Sequence, residues 1–190
     1  MNNIDLRYEV DEISDHQLLT YLFISKGQNE NEDVLKIIQF AYVQDFNNKP
    51  VFNLGFGDLE LETGSIKDDT MTGNGDVYRV FNTVLSTIPQ FYEKYPGHIL
   101  LVQGSDSREE FEKACKTNCN KNCNENCHNF NRRIKTYCNY VSRKYEIFET
   151  DYQFLGGARN EQEWFDFEGF IPGKLYDSIM VYQKMCNFIS

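Results

Sequence analysis

Apolar and β-branched residues gather in short runs near the start of the chain, at Leu19 to Ser25, Ile37 to Val43 and Val51 to Gly57. Polar stretches at 27–33 and 44–50 separate them, so the runs predict strands joined by hairpin-type connections. In the third run Phe52, Leu54 and Phe56 alternate with Val51, Asn53 and Gly55, giving one aromatic face and one thin enough for close approach. The period then changes. Val77, Val80, Phe81, Val84, Leu85, Ile88 and Tyr92 recur at the spacing of an amphipathic helix, with Asn74 or Asp76 as its cap. Pro89 should kink or divide that helix, and Tyr95-Pro96-Gly97 should close it. The apolar run from His98 to Val102 is short enough for a central strand and completes a strand, helix, strand order that permits parallel pairing.

A helical start at Ser107 to Ala114 leads into a cysteine-rich segment, after which Phe130, Ile134, Tyr137, Cys138, Val141 and Tyr145 restore the helical period. Arg132, Lys135, Asn139 and Arg143 fall on the opposite face. Tyr145 to Glu149, Trp164 to Phe167 and Ser178 to Gln183 read as strands. The pattern as a whole predicts an α+β fold, one domain over residues 1–190. Its sheet should be twisted and mainly antiparallel, with two principal helices on one face.

Composition narrows the setting. With 190 residues and 41% apolar, the chain can bury a single core. Met1 to Tyr8 is too polar for a signal peptide, and no apolar run approaches the ~20 residues that cross a bilayer, so a cytoplasmic chain is expected. A formal charge of −10 repels nucleic acid and anionic membranes at long range. The expected partner is therefore a protein, with a basic one favoured, and no membrane. One segment reverses the sign: residues 128–144 carry Arg132, Arg133, Lys135, Arg143 and Lys144 and no acid. Nucleic acid could bind only through this helix, although such charges usually form a solvated face.

The densest chemistry is a cysteine at every fourth position, Cys115, Cys119, Cys123 and Cys127, followed by His128. On one straight helix the outer two would lie about 18 Å apart, too far to share one ion. A loop could wrap the thiolates around zinc, but structural zinc sites usually split their ligands into two close pairs. Three readings are available, a zinc site, a disulfide cluster and a tandem repeat of an asparagine-rich unit in a tolerant surface loop, of which a reducing cytoplasm disfavours the disulfides. Cys138 and Cys186 sit on apolar faces, where a reduced cysteine is a small core residue.

A second candidate site comes from acids and glycines. Asp58 ends a strand, and Asp68, Asp69 and Asp76 precede the first helix, so Asp58 and Asp76 are candidate catalytic carboxylates for a magnesium-dependent phosphodiesterase. Asn74, Gly75, Gly104 and Ser105 offer amides or side chains to an anion, with Arg132 and Arg133 as cationic partners. The same residues also satisfy ordinary turn and cap geometry. Neither a Walker loop nor the dinucleotide glycine pattern is present.

Residues 51–58 (Val-Phe-Asn-Leu-Gly-Phe-Gly-Asp), 73–80 (Gly-Asn-Gly-Asp-Val-Tyr-Arg-Val), Thr83-Val84, 92–96 (Tyr-Glu-Lys-Tyr-Pro) and Gly104-Ser105 resemble a family of small Bacteroidetes proteins known only as a domain of unknown function. In that family a Gly-Ser-Thr step runs almost directly into an Arg-Thr-Arg-Leu-Tyr helix. Residues 131–137 are similar to that helix, and residues 145–148 to the strand after it. The resemblance implies that residues 106–129 are a Cys/Asn-rich insertion, and it places Asp106 where threonine is usual. No activity comes with the family. The leading expectation is a non-enzymatic interaction module such as an antitoxin, immunity or defence-associated protein. The phosphodiesterase and a zinc-dependent structural or sensing role are the alternatives.

Overall fold

The computed structural model describes residues 7–15, 18–27, 32–67, 74–107, 109–118, 127–128, 130–162 and 164–184. The chain forms two compact units, Met1–Pro96 and Gly97–Ser190.

In the first unit, strands β1 (Asp11–Asp15), β2 (Leu18–Ser25), β3 (Val34–Phe46) and β4 (Lys49–Leu59) follow one another as an antiparallel meander. The short β5 (Ile66–Lys67) pairs with β4. The polar stretch before Pro50 proves to be a two-residue hairpin. Asn47 and Asn48 take φ of 51° and 59°, and Phe46 faces Lys49 across the turn. Asparagine tolerates this left-handed backbone, and such turns match the natural twist of the strands they join.

One face of the meander is packed by helix α1 (Val77–Lys94). Leu19, Tyr21 and Phe23 of β2, Ile38 and Phe40 of β3, and Phe52 and Leu54 of β4 are all buried there. The Phe91 ring from α1 stacks 4.9 Å from Phe40 and meets Phe52 edge-on at 5.4 Å. Burying each such ring contributes about 2 kcal/mol. Contrary to the sequence expectation, Pro89 does not divide α1, which runs unbroken through it. Pro89 lies on the exposed side, and the hydroxyl of Thr87 and the amide of Gln90 donate to carbonyls in the preceding turn. Packing of Phe91 and Tyr92 on the core then outweighs the one backbone bond that proline removes.

The second unit contains β6 (Ile99–Gln103), a 3-10 turn at Ser105–Ser107, α2 (Glu109–Asn118), α3 (Arg132–Phe148), β7 (Tyr152–Arg159), β8 (Phe165–Gly169) and β9 (Ser178–Gln183). Its strands lie in the order β6, β9, β7, β8, every neighbour antiparallel. All strand pairing described within either unit is antiparallel, and the class is α+β as expected. Helix α3 buries Ile134 and Cys138 completely and sets Tyr145 and Phe148 at 6.0 and 6.3 Å from Phe154 of β7.

That packing overturns the expected strand at Tyr145 to Glu149. These residues are the end of α3 and its C-cap, and the strand begins at Tyr152. Tyr145 and Phe148 continue the helical spacing and pack on Phe154, and this packing overrides the β-propensity of the Tyr-Glu-Ile-Phe run. Gly156 in β7 is required by close approach: a Cβ there would lie 2.3 Å from the Tyr176 ring.

Candidate functional site

The candidate residues fall into two polar clusters, one in each unit. In the first unit, Asp58 lies across the β3–β4 ladder from Lys36, and the two side chains form an ion pair. The Lys36 side chain is only 8% exposed and that of Asp58 15%, and the ammonium also sits 5.8 Å from the Phe56 ring centre. A lysine so deep in an aromatic face needs this carboxylate, because an uncompensated buried charge is costly.

Asn74 and Asp76 meet nearby partners of their own. The Asp76 carboxylate accepts hydrogen bonds from the Tyr8 hydroxyl at 2.8 Å and from the Ser25 hydroxyl at 2.7 Å. Asn74 donates to the same Ser25 hydroxyl at 3.0 Å, and Ser25 and Asn74 are both essentially inaccessible. Tyr8 in turn stacks on Phe23, lies under the Arg79 guanidinium at 3.9 Å, and donates its backbone N–H to Thr83. Burial and the Asp76 hydrogen bond both push the Tyr8 phenol up. Asp76 thus occupies the N-cap position of α1, as expected, but its side chain caps nothing there. Gly75, at φ 70°, supplies the turn between the two polar residues. The Asn74 carbonyl oxygen is buried without a partner among the described residues.

In the second unit, the Gly104–Ser107 turn meets the start of α3. Arg133 donates its backbone N–H to the Asp106 carboxylate at 3.0 Å and its guanidinium to the Ser105 hydroxyl. Asn131 enters the helix with φ 58° and donates its backbone N–H to the Asp106 carbonyl. Its side-chain amide reaches Asp177, which also accepts the backbone N–H of Arg159 at 2.9 Å. The helix-start amide that could have taken an anion is therefore occupied by the protein's own carboxylate. Burial pushes the Asp106 carboxyl up, against the lowering effect of Arg133. Gly104 is glycine because a Cβ would lie 2.5 Å from the Asp106 Oδ1 and 2.7 Å from the Ser107 hydroxyl. Arg132, Lys135, Asn139 and Arg143 form the exposed face that the spacing predicted.

The metal candidates are split. Cys115 and Cys127 come together with sulfurs 3.0 Å apart, while His128 is exposed. Cys119 and Cys123 lie outside the described residues, as do Asp68, Asp69 and Cys186. Among the described residues no group of three cysteines, histidines or acids is placed to hold a metal ion. With the Cys115 and Cys127 sulfurs 3.0 Å apart, the 18 Å separation of one straight helix does not arise. Cys138 is a core residue whose thiol burial pushes up, donating to the Tyr176 carbonyl.

Sequence reasoning missed Tyr8, Ser25 and Lys36, the partners of the candidate acids. A lysine and a serine at alternating core-facing positions of apolar strands were the available signals.

No described helix is long and apolar enough to cross a membrane. The chain belongs to the family described as a family of unknown function, DUF6934, whose model matches residues 5–131. The match runs through the cysteine segment and stops where α3 begins. No curated protein and no solved structure matches the chain.

Proposed function

We propose that the protein is a non-enzymatic interaction module that takes a basic protein partner along strand β1, in a role such as antitoxin, immunity or defence-associated protein. One observation carries this reading. β1 is the outer strand of its meander, all five of its residues are exposed, and three of them are acids, Asp11, Glu12 and Asp15, of which Glu12 pairs with Lys94 of α1. An outer strand offers alternate backbone N–H and C=O groups to an added strand, and its side chains then select the partner. Here the selection favours lysine and arginine, with Ile13, 58% exposed, as an apolar anchor. The charge of −10 steers such a partner from a distance.

The phosphodiesterase reading draws less support, since the Asp58 carboxylate faces Lys36 and that of Asp76 faces two hydroxyls.

Affinity purification from native cells, run in parallel for the wild type and for Asp11→Lys/Asp15→Lys, tests the module. A basic partner held by the wild type, weakened by salt and released by the reversal variant is expected. A partner retained equally by both proteins, or none, overturns the reading.

A further inference from the structure

We propose that Cys115 and Cys127 are a dithiol modification site that closes to a disulfide by exchange with a small-molecule disulfide. The two residues are 12 positions apart in sequence, yet the Cys127 thiol donates to the Cys115 sulfur at 3.0 Å. A disulfide sets its sulfurs about 2.05 Å apart, so about 1 Å of side-chain movement completes the bond.

Both ends of the pair are anchored. Cys115 belongs to α2, whose backbone is helical through Asn118. Cys127 is 5% exposed, and its carbonyl accepts the N–H of Phe130, which opens the turn into Asn131. Asn131 is held at the Asp106 carbonyl. The pair is thus set by structure on both sides and does not depend on chance encounter within a loop.

Cys115 is half-buried and the more accessible of the two, so it is the first to react. Its thiolate attacks one sulfur of the small-molecule disulfide and expels one thiol. The Cys127 thiolate then attacks the Cys115 sulfur and expels the second. The protein loses two hydrogens and the co-reactant gains both, so the exchange balances. The new bond would tie the end of α2 to the turn that enters α3, across a segment carrying two more cysteines.

The experiment is incubation of the purified full chain with oxidised glutathione, followed by intact mass and non-reducing peptide mapping. The expected product is about 2 Da lighter, with one cross-link joining Cys115 to Cys127. A Cys119→Ser/Cys123→Ser variant keeps that product, while Cys115→Ser and Cys127→Ser each stop at other adducts. A wild-type map in which either residue is instead linked to Cys119 or Cys123 overturns the proposal. So does a chain that retains about one equivalent of zinc and resists oxidation until chelated, which would make the pair metal ligands. The mapping is read on the wild type, so a variant that fails to fold does not decide the matter.

Discussion

The two units satisfy their acids by different means. In the first, Asp58 and Asp76 take their hydrogen bonds from side chains, the Lys36 ammonium and the hydroxyls of Tyr8 and Ser25. In the second, Asp106 and Asp177 each accept a backbone N–H, from Arg133 and Arg159. The reason lies in topology. A meander satisfies its own backbone through its ladders, so a polar side chain at its end must find other side chains. In the second unit the first turn of α3 and the end of β7 leave the amides of Arg133 and Arg159 without a ladder or helix acceptor, and buried amides need acceptors. Asp58 and Asp76 hold side chains in place; Asp106 and Asp177 also complete the backbone, Asp177 while taking the Asn131 side-chain amide as well.

Removing the charged donor from the first unit should have the largest effect. Lys36→Met is expected to cost about 3 kcal/mol in denaturant unfolding, because it strips the ammonium from a carboxylate that water reaches poorly. Lys36→Met with Asp58→Leu should recover most of the loss. If the single variant is no less stable than the wild type, the ion pair does not organise that face.

Removing the acceptor from the second unit comes next. Asp106→Ala should cost about 2 kcal/mol, since it leaves the Arg133 N–H of α3 without its acceptor. Asp106→Asn, which keeps an acceptor oxygen, should cost less than half as much. The pH dependence has a definite sign. Burial raises the folded-state carboxyl above its ordinary value of 3.8, so the folded chain holds the proton more tightly than the unfolded chain. That contribution is complete below the ordinary value and is lost as pH rises through the folded one. Asp106→Asn should therefore flatten the fall in stability as pH is raised from about 4, measured by unfolding across that range.

A neutral donor should matter less. Tyr8→Phe removes the hydroxyl bond to Asp76 and the acceptor of the Lys26 backbone N–H, and is expected to cost about 1–2 kcal/mol. Combined with Ser25→Ala, it should show coupling in a double-mutant cycle, because both hydroxyls serve one oxygen of Asp76. Additive losses would mean that the cluster does not act as a unit.

The smallest effect lies on the surface. Lys67, Thr63 and Ser65 all donate to the half-buried Glu60 carboxylate, Lys67 most strongly, and hold it down at about 2. Its contribution is present above the ordinary glutamate range and disappears as pH falls toward 2. Carboxyl titration by NMR should find Glu60 the last of its neighbours to protonate, and Lys67→Met should raise its midpoint.

Much of the fold was legible because periodicity reports burial directly. The strands at Leu18–Ser25, Ile99–Gln103 and Ser178–Gln183 and the helix α1 were all visible as apolar spacing. The strand β1 was not, because Asp11–Asp15 buries nothing and has no apolar face to show. Pro89 and Tyr145 to Glu149 misled for a shared reason: local propensity argued against helix at each, and aromatic packing outweighed it. Of the candidate site, the acids could be named but not their partners. Tyr8 and Asp76 lie 68 residues apart, and no local rule links them.

By itself, the sequence determined the class of fold, the membership of the strands and helices that bury an apolar face, the acidic surface and the exposed basic face of α3. These follow from composition and spacing, which act residue by residue. Only the tertiary structure decided where the charged and thiol groups spend their bonds. It gave Lys36 to Asp58, two hydroxyls to Asp76, a helix amide to Asp106 and the Cys127 thiol to Cys115. A hydrogen bond is satisfied by whichever partner the chain's path brings within about 3 Å, and that path is set by the packing of the whole core.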